Sequence, residues 1–110
     1  MEVIIDLKQP TKIHKVSLGT MQNSILRIFF PKKVDIYVSS DGLIFRKVGK
    51  SLNEVDPLLE GKQVKDFAVS FDTISTSFVK VVAQNVGKCP KGHLEEGKPS
   101  WLVTDEIGIK

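Results

Sequence analysis

Residues 31–48, PKKVDIYVSSDGLIFRKV, decide the fold of this chain. Apolar residues at positions 34, 36 and 38 alternate with polar or amphipathic ones, and such alternation is typical of a half-buried β-strand. Asp41-Gly42 follows, and these residue types accept the backbone conformation that a tight hairpin turn requires. The chain then returns from Phe45 to Val48. The segment therefore predicts an antiparallel β-hairpin.

Working outward, the rest of the chain repeats short apolar segments between turns. VIIDL (3–7) and IHKVSL (13–18) are separated by Pro10-Thr11, and Ile13 is out of phase with Val16 and Leu18, so a bulge or a late strand start is predicted. DFAVSF (66–71), SFVKVVAQNV (77–86) and a final strand from Trp101 bring the total to about seven strands. Residues 51–63 and 87–100 are expected to be surface loops. The pattern predicts an all-β fold, an antiparallel sandwich or barrel, in one domain that spans residues 1–110.

Composition excludes several function classes. The net charge is +3, but the lysines and arginines are spread along the chain with acids between them, and few aromatic residues accompany them. Nucleic-acid binding is therefore not expected. No apolar run approaches the roughly 20 residues of a membrane span, so no membrane partner is predicted. Cys89 is the only cysteine, which excludes an intrachain disulfide.

Four segments of this sequence resemble a known family, the factor V/VIII C-type or discoidin-like domains. The segments are VIIDLKQPTKIHKVSLG (3–19), FFPKKVDIYVSSDGLIFRKVG (29–49), FVKVVAQNVGKCP (78–90) and GKPSWLVTDEIGI (97–109). They look most similar to the copies at the C-terminus of bacterial chitobiase-type β-N-acetylhexosaminidases. The resemblance implies an eight-stranded jelly-roll β-sandwich. It also implies that several tens of residues usually precede the IIDL strand, so this chain is expected to be either a module without its N-terminal part or an unusually short copy.

The resemblance carries an expectation about function as well. It implies a non-catalytic accessory module of a bacterial glycosidase, exported to the periplasm or cell surface, that binds glycans weakly through loops at one end of the sandwich. The alternative is a structural module that packs against the catalytic domain of the same protein and binds no sugar. The expected partners are thus a glycan, the parent catalytic domain, or both.

Two adjacent acids, Asp105 and Glu106, interrupt the final apolar segment. They could be a catalytic pair, a metal ligand or a polar strand edge. In a regular strand neighbouring side chains point to opposite faces, so the two carboxylates are not expected to converge on one sugar, and no catalytic residues are assigned. Asp105 shares its phase with Val103 and Ile107, and it is therefore expected to turn inward and bond to backbone amides.

The resemblance offers a second role for the same pair. It implies that Glu106 helps to hold a structural calcium ion together with backbone oxygens of an N-terminal loop. Because that loop would precede Met1, calcium binding is expected to be weak or absent in this chain.

Three residues are candidates for glycan binding, namely Trp101, His93 and Asn85. Asn85 ends one predicted strand, Trp101 begins the next, and His93 lies in the connection, so their loops are expected to meet. Trp101 has two interpretations: its ring stacks on a sugar, or it is a half-buried plug at the mouth of the strand, and the plug is favoured.

Other side chains in these segments have simpler interpretations. Phe29 and Phe30 are expected to pack in the core or under a loop. Cys89 and His93 are four residues apart, but two ligands do not make a tetrahedral zinc site.

Overall fold

The computed structural model describes residues 1–110 and shows an all-β chain. Its hydrogen-bonded sheet has five antiparallel strands in the order β3-β2-β4-β1-β5. The only helix is a 3₁₀ turn at Ser24–Leu26, and no helix is long or apolar enough to cross a membrane. The strands are β1 Glu2–Asn23, β2 Lys33–Ser39, β3 Arg46–Leu52, β4 Lys62–Gln84 and β5 Val103–Ile109.

Strands β1 and β4 are long and must bend. They contain 22 and 23 residues, so each would measure roughly 70 Å if straight, whereas the longest dimension of the molecule is 47 Å. Their pairing shifts register between Asp6 and Thr11 and again between Ile13 and Lys15. Extra residues on one strand of a pair bend it and increase its twist. The two long strands therefore fold the sheet back on itself.

This folding produces the two layers of a sandwich. Strands β2 and β3 extend the C-terminal half of β4, while β5 extends the C-terminal half of β1. Gly49 of β3 lies against Val69 in the N-terminal half of β4, although β3 pairs only with β2. The layers thus face each other, and apolar residues of both fill the space between them: Ile13, Val16, Leu18, Phe30, Val34, Ile36, Val38, Phe67, Val69, Val79, Val81 and Ala83.

The hairpin predicted from residues 31–48 is confirmed, but its connection spans residues 40–45 and is longer than the tight turn predicted from Asp41-Gly42. Strand β2 pairs with β3 in antiparallel register, and Gly42 in the connecting turn has a φ of 76°. The Asp41 carboxylate accepts hydrogen bonds from the backbone N–H groups of Leu43 and Ile44, at 2.8 and 3.0 Å. These bonds, with one from the Ser39 hydroxyl, hold the pKa of Asp41 below its usual value.

The predicted strand count was wrong. VIIDL and IHKVSL form one strand, β1, and DFAVSF and SFVKVVAQNV form one strand, β4. The predicted break at Pro10-Thr11 is a register shift within β1, and the predicted irregularity after Ile13 is the second shift. A strand can bend at such irregularities while its backbone pairing continues on both sides, so seven sequence segments become five strands.

One end of the sandwich collects most of the connections, and we call it the loop end. Register places Asn23 beside Lys62, and Lys33 beside both Leu52 and Gln84, so the ends of β1, β2, β3 and β4 meet there. The start of β5 joins them through the pairing of Met21 with Val103. Phe29 and Phe30 lie under this end and are buried, as predicted.

Candidate functional site

The Asp105–Glu106 pair occupies a β-bulge. Leu18 pairs with Ile107 and Thr20 pairs with Thr104, so two residues of β5 oppose the single residue Gly19 of β1. Both acids are exposed, and Asp105 Oδ1 accepts the N–H of Glu106 at 2.5 Å. The prediction that Asp105 turns inward was wrong, because the extra residue resets the alternation of side chains along β5.

The bulge also explains why glycine is at position 19. A Cβ atom added to Gly19 would collide with the Asp105 carboxylate. Because Gly19 has no side chain, the Asp105 carboxylate can pack against its buried backbone. The pair acts here as a local structural feature of the β1–β5 ladder.

Glu106 is an incomplete candidate for the calcium site that the resemblance implies. Calcium takes 6–8 oxygen ligands, and the structure contains no group of three or more His, Cys, Asp or Glu side chains that could hold a metal ion. The chain provides only two exposed neighbouring carboxylates at this position, those of Asp105 and Glu106. Its side chains alone do not fit a calcium cage.

His93 anchors the long connection between β4 and β5. Its Nδ1 accepts the N–H of Glu95 at 2.9 Å, and its Nε2 lies 2.8 Å from the carbonyl oxygen of Ser24. Because Nδ1 accepts, Nε2 carries the proton and donates it to Ser24. The ring also packs edge-on against Phe29, with centroids 5.6 Å apart. With both nitrogens engaged and Cys89 buried, the pair offers no zinc site.

His93 lines a groove at the loop end, which we call the first groove. The groove has a volume of about 680 Å³. Glu95 on its wall is 3.3 Å from Arg27, and the Oδ1 atom of Asn23 is buried without a hydrogen-bond partner. The lining residues are Asn23, Ser24, Ile25, Leu58, Glu60, Gly61, Gly92, His93, Leu94 and Glu95.

Trp101 has a fixed backbone and an exposed side chain. Its N–H donates to the carbonyl oxygen of Arg27 at 2.8 Å, and its own carbonyl oxygen accepts the N–H of Phe29 at 3.2 Å. The residue is nevertheless 57% exposed. The favoured interpretation of a half-buried plug is therefore corrected: β5 begins only at Val103, and the isolated bridge of Trp101 with Ile28 leaves the residue open to solvent.

Asn85 closes a turn beside Trp101. Its Oδ1 accepts the N–H of Gly87 at 3.1 Å and faces the hydroxyl of Ser100 at 3.5 Å. Ser100 in turn donates its N–H to the carbonyl oxygen of Gly87. The loops of Asn85 and Trp101 are thus adjacent, as are those of Trp101 and His93 through Phe29. Of the three predicted residues, only His93 lines the first groove.

A second groove lies at the same end and was not predicted. It has a volume of about 440 Å³ and contains two lysines, Lys32 and Lys88. The only sequence signal for it was a lysine within two residues of a proline in two distant segments, Pro31-Lys32 and Lys88-Cys89-Pro90. The lining residues are Phe30, Lys32, Asn53, Val55, Pro57, Val86, Lys88 and Pro90.

The solved structures that are similar to this one include the following three. The first is CpGH89CBM32-5 from Clostridium perfringens in complex with GalNAc-β-1,3-galactose, with 18% identity, TM-score 0.60, 98% of this chain and 63% of that one covered. The second is CBM32-1 from a family 31 glycoside hydrolase of Clostridium perfringens, with 25% identity, TM-score 0.53 and coverage of 76% and 58%. The third is the C-terminal domain of a chitobiase from Bacteroides fragilis, with 19% identity, TM-score 0.51 and coverage of 99% and 61%.

These similarities define the class of the fold. The chain has the discoidin-like, jelly-roll architecture that its sequence motifs predicted. It spans about three fifths of the length of the structures that it matches. No family model matches the sequence, and no curated protein matches it.

Proposed function

We propose that this chain is a non-catalytic, carbohydrate-binding accessory module of an exported bacterial glycosidase of the chitobiase or hexosaminidase type. The fold supports this proposal, because similar structures include a module in complex with GalNAc-β-1,3-galactose and a module from a glycoside hydrolase. The observation that carries it is the exposed ring of Trp101 on an anchored backbone at the loop end. A rigid, exposed aromatic residue presents a flat apolar surface to a sugar ring at little entropic cost.

The roles of the neighbouring residues follow from their contacts. His93 and Asn85 are positioning residues, because both ring nitrogens of His93 and the Oδ1 atom of Asn85 are already bonded to loop backbone. The buried Oδ1 of Asn23 has no partner, and a sugar hydroxyl or water that reached it would relieve the cost of an unsatisfied acceptor.

The expected affinity is low. One aromatic contact contributes about 1 kcal/mol, each exposed hydrogen bond adds about 1 kcal/mol net, and association costs several kcal/mol of lost freedom. The net binding free energy is therefore expected to be small, about 4 kcal/mol or less, which corresponds to a Kd of about 1 mM or weaker.

The single tryptophan makes this proposal directly testable. Trp101 is the only Trp in the chain, so its intrinsic fluorescence reports on that site alone. Titration with GalNAc-β-1,3-galactose, N-acetylglucosamine and chito-oligosaccharides should change the emission of the wild-type chain with a millimolar midpoint. In Trp101→Ala, binding followed by NMR should weaken about tenfold, which is the loss of roughly 1.4 kcal/mol.

Leu43→Ala provides the matched control, because Leu43 is also exposed but lies in the hairpin turn away from the loop end. Its binding should equal that of the wild type. An unchanged emission with every sugar, or equal weakening in both variants, would refute the role of Trp101.

A second candidate function is docking on the catalytic domain of the same protein. Exposed aliphatic residues on the wall of the first groove favour it, since Ile25 and Leu94 are 83% and 98% exposed. Such side chains on one wall are typical of a contact with another protein. The serine substitutions Ile25→Ser and Leu94→Ser should then abolish co-elution with the catalytic domain and leave the Trp101 emission response to sugar unchanged. Co-elution that survives both substitutions would contradict this candidate.

A further inference from the structure

The second groove carries positive charge that no acid of the chain neutralises. Lys32 and Lys88 are exposed lining residues, and neither takes part in any of the ion pairs of this structure. No carboxylate lines the groove; Glu54 lies between two lining residues in sequence but is not itself one of them. The first groove differs, because it is lined by Glu60 and Glu95 and by no lysine.

The backbone of each groove lysine is fixed by contacts with another segment. Lys32 donates its N–H to the carbonyl oxygen of Gln84 at 2.8 Å and accepts the N–H of Asn53 at 3.0 Å. Lys88 forms an isolated β-bridge with Pro99. Three different connections of the loop end thus fix the two backbone positions, and only the flexible side chains remain to be ordered by a ligand.

The remaining lining is mostly apolar. Val55, Pro57, Val86 and Pro90 form part of it, together with Phe30, which is 1% exposed. Low-dielectric walls around like charges focus their field and raise the local concentration of a counter-charge. The volume of about 440 Å³ falls within the range of small-molecule sites.

From these observations we infer that the second groove binds an acidic sugar unit. The carboxylate of a uronic acid, or a sulfate ester, would lie between the ammonium groups of Lys32 and Lys88, and the sugar ring would contact the apolar wall. The choice of a glycan rests on the proposed function, whereas the preference for a negative charge rests on the groove itself. A nucleic acid fits less well, because bases need exposed aromatic rings for stacking and the only aromatic residue of this groove is buried.

The test compares galacturonic acid, galactose 6-sulfate, galactose and inorganic sulfate by NMR titration of the ¹⁵N-labelled chain. The two acidic sugars should shift the amide signals of Asn53, Val86 and Lys88, and their affinity should fall as salt is added, because exposed charges are screened. The double variant Lys32→Gln/Lys88→Gln should bind them about tenfold more weakly, because two exposed charge contacts are lost. The charge-matched control is Lys12→Gln/Lys110→Gln, whose lysines are exposed and lie outside both grooves.

Three outcomes would overturn the inference. The first is equal affinity for galactose and galacturonic acid, and the second is an equal loss in the control variant. The third is inorganic sulfate that binds as tightly as galactose 6-sulfate, because the sugar ring would then contribute nothing. Trp101 emission with neutral sugars is read separately. If the proposed function is wrong, neutral sugars leave the Trp101 emission unchanged. If only the acidic subsite is wrong, the lysine substitutions leave the affinity for acidic sugars unchanged.

Discussion

Asp35 is a buried carboxylate on the outward side of β2. It alternates with core residues Val34 and Ile36, yet it is only 6% exposed. Two lysine side chains cover it: Lys47 Nζ is 2.9 Å from Oδ1, and Lys33 Nζ is 3.5 Å from Oδ2. Burial by itself would raise the pKa of Asp35, but the hydrogen bond and charge of Lys47 and the charge of Lys33 outweigh it, so the pKa is lowered.

Replacement of this carboxylate should destabilise the fold in a pH-dependent way. Asp35→Asn should reduce the free energy of unfolding at neutral pH by about 1–2 kcal/mol, because the ammonium groups lose a charged acceptor. A lowered folded pKa stabilises the chain above the unfolded value near 4, and that stabilisation is lost as pH falls through the folded pKa. The difference between wild type and variant should therefore narrow below about pH 4.

Urea unfolding at several pH values measures this effect. Asp72→Asn is the control, because Asp72 is exposed and forms no ion pair in this structure; its stability should match the wild type at neutral pH. A difference for Asp35→Asn that stays constant from neutral to strongly acidic pH would rule out the ion pairs as its cause.

The side-chain direction of Asp105 could not be predicted from the sequence of its own strand. The sequence correctly singled out Asp105 and Glu106 as exceptional in an apolar strand. Regular alternation of side chains along a strand predicted that Asp105 points inward. The bulge opposite Gly19 depends on how β5 aligns with β1, and this alignment is a property of two strands, not of one.

At the scale of elements, the spacing of the two layers depends on a close contact between β3 and β4. A Cβ atom added to Gly49 would lie 2.5 Å from Cγ1 of Val69, and Val69 is buried. A side chain at position 49 would therefore push the layers apart or force Val69 from its rotamer. The sequence showed only a glycine in a strand, which weakens a strand unless close packing requires it.

Gly49→Ala should thus lower the free energy of unfolding by about 1–3 kcal/mol through overpacking. Val69→Ala removes the atom that would clash, although it costs stability by leaving a cavity. In a double-mutant cycle measured by urea unfolding, Gly49→Ala should cost clearly less in the Val69→Ala background. Purely additive losses would show that the two residues do not limit the spacing of the layers.

At the scale of the whole molecule, folding groups charged residues that are spread out along the sequence. The net charge of +3 and the spread of lysines along the chain predict a mixed surface. Folding nevertheless brings Lys32 and Lys88 to one groove, and Glu60 and Glu95 to another. Each pair comes from connections that are distant in sequence.

Calcium should have little effect on the stability of this chain. Ligand stabilisation follows RT ln(1 + [L]/Kd), so about 1 mM calcium with a Kd near 1 mM adds only about 0.4 kcal/mol. The melting temperature should then rise by about 3 °C or less, with magnesium as the control ion. A much larger rise that disappears in Glu106→Gln would show that backbone oxygens complete a site around this carboxylate.

The sequence by itself determined the class of fold, the hairpin at residues 31–48 and the burial of Phe29 and Phe30. The hairpin depends on local alternation and turn chemistry, which neighbouring residues specify. The burial of the two phenylalanines follows from their apolar character, and the jelly-roll class was what the family resemblance implied. Only the tertiary structure decided that seven segments form five strands, that Trp101 is exposed, and that two grooves open at one end, one lined by lysines and the other by glutamates. Each of these depends on which distant residues become neighbours when β1 and β4 bend. The spacing of residues along a single strand does not specify how that strand aligns with the others.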